Sequence, residues 1–137
     1  MDIAKDLALV DLLCTRGFPA QRGRTDVGEG GPGYLMAPLG GSGRPGAEDL
    51  YAYELALAER LSARWGEPSR WGTVTLTERI ARGEEIPEPW SGLSALADDL
   101  RTWKAPDSDR WVTVAVTDRD TEEPCELLLV VTDIDPP

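Results

Sequence analysis

Apolar residues recur at helical spacing in two long stretches of this chain and at every second position in shorter ones. Ile3, Leu7, Val10 and Cys14 form one helical stripe, broadened by Leu9, Leu12 and Leu13, and predict a helix over 2–16. Asp2 suits its N-terminal cap and Gly17 the left-handed residue after its last turn. Leu50, Tyr53, Leu57, Leu61 and Trp65 mark a second helix over 47–65, with Tyr51, Leu55 and Ala58 beside the stripe. Glu48 and Asp49 favour its positive N-terminal end, Gly66 ends it and Pro68 prevents its resumption.

Beyond Pro68 the period changes. Thr-Val-Thr-Leu-Thr at 73–77 alternates, with Val74 and Leu76 inward, and reads as a half-buried strand. A helical turn is expected at 78–83 and a bend at Pro87 and Pro89. A third helix over 91–104 then follows, carrying Leu93, Leu96, Leu100 and Trp103 and stopped by Ala105-Pro106. Val112, Val114 and Val116 alternate within a strand over 111–117. The run from Leu127 to Val131 is apolar on both faces, as a central strand over 125–132 would be. The short connection at 118–124 makes the two a hairpin. Between the first two helices, 18–46 holds nine of the 14 glycines and reads as a Gly/Pro-rich loop with a short strand at 33–39. The order implies one α+β domain over 1–137. Its small antiparallel sheet, with a C-terminal hairpin, packs against about three helices that cover one face.

Composition adds a globular character, with 41% hydrophobic and 28% charged residues. Charge adds more. Residues 1–45 balance five acids (Asp2, Asp6, Asp11, Asp26, Glu29) against five bases (Lys5, Arg16, Arg22, Arg24, Arg44). The net charge of −11 therefore arises wholly in 46–137, from 20 acids and nine bases. Such a field repels nucleic acid and anionic membrane and attracts basic partners. The chain has no histidine, so the commonest general base and metal ligand is missing. Asp2, Asp6 and Asp11 interrupt the leucines of 1–17, where no basic leader precedes them. A signal peptide and a membrane span are not expected, and a cytoplasmic location is. Arginine supplies 12 of the 14 basic residues, in keeping with a GC-rich bacterial genome.

Motifs for chemistry are weak. Two stretches match GxGxxG, Gly28-Gly30-Gly33 and Gly41-Gly43-Gly46. Pro45 removes an amide from the second cradle, and Glu48 and Asp49 place negative charge where a phosphate would sit. No GK[ST] occurs, so no nucleotide cofactor is expected. Asp118, Asp120, Glu122 and Glu123 alternate in the hairpin connection, but Glu123 and Leu129 stand where a calcium loop needs Gly and Glu. These acids read as solvated surface rather than a metal site. Cys14 and Cys125 have no CxxC spacing and no histidine partner, and both read as small buried hydrophobes. An enzyme is accordingly not expected.

The five tryptophans fall at element ends: Trp65 and Trp103 close helices, Trp71 and Trp111 open strands, and Trp90 precedes a helix. Rings so placed cap a small core or anchor a partner. The expectation is a non-enzymatic acidic protein that binds a basic protein partner, with inhibition of that partner as one outcome. Trp90, Trp111, Asp118, Asp120, Glu122 and Glu123 are its candidate contacts, with no cofactor or metal. Small acidic inhibitors such as bacterial immunity proteins share this charge logic, a likeness of composition that assigns no residues. The competing expectation is a small-molecule binder or small enzyme, with its pocket between the glycine-rich loop and the tryptophan-bearing ends of the sheet.

Overall fold

The structure, a computed structural model, describes residues 2–40, 46–119 and 125–137. Among these residues it is α+β, with seven strands in one antiparallel sheet and four helices. In chain order these are α1 (Ile3–Thr15), β1 (Gly23–Arg24), β2 (Glu29–Gly31), β3 (Tyr34–Leu39), α2 (Ala47–Trp65), β4 (Ser69–Gly72), α3 (Val74–Ala81), α4 (Trp90–Leu96), β5 (Asp99–Ala105), β6 (Arg110–Val116) and β7 (Leu127–Thr132). The sheet runs β1-β2-β3-β7-β6-β5-β4.

The sheet is larger than its sequence suggests, and it is covered on both faces instead of one. Alternation along the strands explains this. Leu35, Ala37 and Leu39 of β3, Leu127, Leu129 and Val131 of β7, and Val112, Val114 and Val116 of β6 share a core with Val10 and Leu13 of α1 and Leu50, Leu57 and Leu61 of α2. The intervening residues Ala115, Leu128 and Val130 share a second core with Leu76 of α3, Trp90 and Leu93 of α4, and Leu100 of β5. The hairpin of β6 and β7 forms as expected, with Val114 opposite Leu129. The two-sided apolar run is the middle strand, held between β3 and β6.

Both long helices match their expected extents. Asp2 caps α1 by accepting from the Lys5 amide at 3.1 Å. Its C-terminus does not use Gly17 as a left-handed stop, because the chain leaves through Arg16 in an extended conformation. Gly66 does end α2 with a positive φ of 87°.

Three expectations fail. The 73–77 segment is helical, opening α3, and the strand is the preceding Ser69–Gly72. Thr73 decides this: fully buried, it donates its amide to the Asp98 carbonyl at 2.9 Å and its hydroxyl to the Ala97 carbonyl at 2.8 Å. Its own carbonyl accepts from the Thr77 amide, so the alternating threonines become a first helical turn. The 91–104 helix stops at Leu96, and 99–105 is β5. There Leu100 and Trp103 enter opposite cores, as residues of unlike parity in a strand must. The glycine-rich stretch supplies β1, β2 and β3 instead of one isolated strand. Gly28 lets it lie flat, since a Cβ there would come within 2.2 Å of the Met36 carbonyl oxygen.

Among the described residues no helix is long and apolar enough to cross a membrane.

Candidate functional site

The acidic candidates begin where β6 ends. Val116 points into the α2-side core, so Asp118, two residues on, leaves the sheet on that same side. There it accepts a hydrogen bond from the Tyr51 hydroxyl of α2. Its other oxygen, Oδ1, is buried with no partner among the described residues. Asp120, Glu122 and Glu123 lie outside the described residues.

Tyr51 sits in a crowd of carboxylates. Desolvation first, then Asp118, Glu54 and Asp99, hold its phenol far above the ordinary tyrosine pKa. Glu54 is itself nearly buried and pairs with Arg101 of β5 at 2.8 Å. Burial pushes the Glu54 carboxyl upward, and the Arg101 guanidinium pulls it back. Asp99 lies within 3.9 Å of Arg70. The ring of Tyr51 and the side chain of Leu55, one turn along α2, remain 40% and 52% exposed. The upper part of α2 thus presents an aromatic and an aliphatic side chain amid carboxylates.

The tryptophans are mostly architectural. Trp90 has no exposed surface and donates its Nε1 to the Ile134 carbonyl at 3.0 Å. Its ring lies 5.7 Å from that of Trp71, which donates to the Thr102 hydroxyl. Trp103 is buried under α2. Trp111 is half-buried, bonded through Nε1 to Asp135 at 3.0 Å, with the Lys104 ammonium 4.5 Å from its ring centre. The structure therefore holds Trp90 in a core and leaves Trp111 partly outward, at the start of β6. It joins neither to Asp118. Sequence reasoning missed Tyr51 and Leu55 as surface residues. Their signal was present, because they fall off the buried stripe of α2 at a spacing of four.

Basic residues of the acidic region are largely spent within the molecule. Arg64 pairs with Asp11, Arg70 with Asp99, Arg79 with Glu84, Arg101 with Glu54, Lys104 with Asp109 and Arg119 with Asp98. Arg110 donates to the Leu13 and Arg16 carbonyls and covers the Phe18 ring. Glu48, Asp49, Glu59, Glu67, Glu78 and Glu85 meanwhile face solvent.

Two clefts among the described residues bear on chemistry. One, of about 510 Å³, lies on the face opposite α2, between the β1–β2 turn and the ends of β3, β6 and β7. Met36, Pro38, Leu96 and Leu128 supply its apolar lining, and Arg24, Glu29 and Glu126 its charges. It is built from the glycine-rich segment, but no tryptophan lines it. The other, of about 640 Å³, holds Cys14 beside Ser108 and Arg110. Burial pushes the Cys14 thiol upward, away from the thiolate form that a nucleophile needs. Among the described residues no three Cys, Asp or Glu side chains gather as a metal site requires.

Comparison with protein-family models, curated proteins and solved structures finds no match to this chain.

Proposed function

We propose that this chain is a non-enzymatic interaction protein that binds a basic protein partner through its acidic face. One observation carries the reading: six of the nine basic residues in 46–137 are neutralised by ion pairs within the fold, while many of the acids point outward. An outward field of one sign accelerates encounter with a partner of the other and discourages nucleic acid and acidic proteins. Asp118, with Asp120, Glu122 and Glu123 following it in the chain, belongs to the steering charge. Where the partner is an active basic protein, occupation of its basic surface inhibits it.

The test starts with capture from the native cell at low and high salt, followed by association kinetics with the purified partner. Neutralising Asp118, Asp120, Glu122 and Glu123 together slows association and flattens its salt dependence, with dissociation little changed. An association rate indifferent to both ionic strength and this substitution overturns the reading.

The 510 Å³ cleft supports a second reading, a small-molecule site, since its size and its apolar lining with a few charges are those of a ligand pocket. It expects Leu128→Asp to abolish ligand binding and the four acids to be irrelevant.

A further inference from the structure

The middle of α2 is apolar on both sides. Leu50, Tyr53, Leu57, Ala58 and Leu61 face the core. The opposite stripe, Glu48, Tyr51, Ala52, Leu55 and Glu59, follows helical spacing and is exposed throughout. A solvent-facing helix stripe ordinarily carries charge at its centre; here the centre is Tyr51, Ala52 and Leu55, and the charges stand at its two ends. The Tyr51 hydroxyl is tied to Asp118, which fixes the ring against the helix. A ring already held loses less freedom on binding than a free one.

Other exposed apolar side chains lack this setting. Leu12 and Val74 stand on separate helices. Ile80 lies between a shallow hollow shared with Arg119 and another bordered by Glu84 and Glu85, and Leu96 lines the 510 Å³ cleft, so neither shares an exposed helix stripe with an aromatic ring. Tyr51 and Leu55 are one turn apart on one helix, with Asp99, Asp118 and Glu54 close to the ring.

We infer that the outer stripe of α2, from Glu48 to Glu59, is the docking surface for the basic partner, which seats an apolar side chain between Tyr51 and Leu55 and ranges Lys or Arg side chains against Glu48, Glu59, Asp99 and Asp118. This rests on the reading of the chain as a binder of basic proteins and adds where the anchor lies. Charge complementarity selects the occupant. A second copy docked on the same stripe would bring Glu48, Glu59, Asp99 and Asp118 against their own equivalents, and like charges across an interface are costly. The expected division of labour is kinetic: the surrounding carboxylates govern association, and Tyr51 and Leu55 govern dissociation.

The experiment titrates two synthetic helical peptides into isotope-labelled protein, one with leucine at helical spacing among lysines, the other with glutamate in place of every lysine. Amide shifts are followed residue by residue. The lysine peptide should shift 48–59 and Asp118, and the glutamate peptide should not. Leu55→Ser should weaken the lysine peptide by about tenfold, a loss of roughly 1.4 kcal/mol. Val74→Ser, an exposed apolar control on α3, should leave it unchanged, and Tyr51→Phe should weaken binding less than Leu55→Ser, because the ring remains and only its tie to Asp118 is lost. Shifts centred on another acidic surface, with Leu55→Ser silent, overturn the α2 assignment while the basic-partner reading stands. Equal weakness of both peptides everywhere overturns both. Shifts that grow with protein concentration in the absence of peptide overturn the choice of occupant in favour of a second copy.

Discussion

The buried carboxylate of Asp6, on α1, accepts a hydrogen bond from the Tyr53 hydroxyl on α2, 47 residues away. The same oxygen accepts from the Gly40 amide at 3.2 Å, just after β3. One carboxylate therefore fastens both helices of this face to the sheet beneath them. Asp6→Ala leaves the Tyr53 hydroxyl and the Gly40 amide buried and unpaired, and should cost about 3 kcal/mol in urea unfolding. Tyr53→Phe should cost less, about 1 kcal/mol, and the double variant less than the sum of the two. Strict additivity would mean that the two groups do not interact in solution.

Alkaline pH provides a second test of the same contact. Desolvation, then the Asp6 hydrogen bond, hold the Tyr53 phenol well above its ordinary value of 10.0. The folded state thus keeps a proton that the unfolded state gives up above pH 10. By linkage, this contribution is fully present below pH 10 and is lost as pH rises past it toward the folded value. Unfolding midpoints should fall more steeply above pH 10 in the native protein than in Tyr53→Phe. Identical alkaline slopes would remove Tyr53 as the source.

The Arg101–Glu54 pair, when broken, should show the same sign of linkage at acid rather than alkaline pH. Arg101→Met leaves a nearly buried carboxylate without its cation and should cost about 3–5 kcal/mol at neutral pH. Burial, the largest influence on Glu54, then acts without the Arg101 guanidinium and raises its pKa further, so the folded state binds more protons than the unfolded one. The loss should shrink as pH falls through the folded pKa. A deficit that stays constant down to acid pH would place the damage in packing.

How legible the chain is depends on which contacts decide each element. α2 was readable because its stripe, its acidic first turn and Gly66 all act within the helix. β7 was readable because five consecutive large apolar residues fit only a strand covered on both faces. Thr73 was not readable: its partners Ala97 and Asp98 lie some 25 residues on, and they turn an alternating segment into a helix. Leu100 and Trp103 continued the helical count of Leu93 and Leu96 by coincidence of spacing. Among the candidate contacts, Asp118 was legible only as a loop acid, and its hydrogen bond from Tyr51 exists only because β6 brings it beside α2.

Trp90 and Trp111 should separate cleanly in mutagenesis. Trp90→Ala removes a fully buried ring and its bond to the Ile134 carbonyl, and should cost about 3–5 kcal/mol of stability. Trp111→Ala loses a half-buried ring under Lys104 and should cost less. Comparable losses, measured by denaturant unfolding, would mean that Trp111 is as much a core residue as Trp90.

The position of β7 bears on how the chain acquires its fold during synthesis. Among the described elements it comes after all the others, yet it alone joins β1-β2-β3 to β6-β5-β4. Until it leaves the ribosome, β3 and β6 each display an apolar flank with no neighbour, and the nascent chain is two half-sheets rather than one. Tyr34–Leu39 must wait for partners more than 85 residues downstream. Closure is therefore late and abrupt, and nascent chains arrested before Leu127 should be the species that chaperones hold.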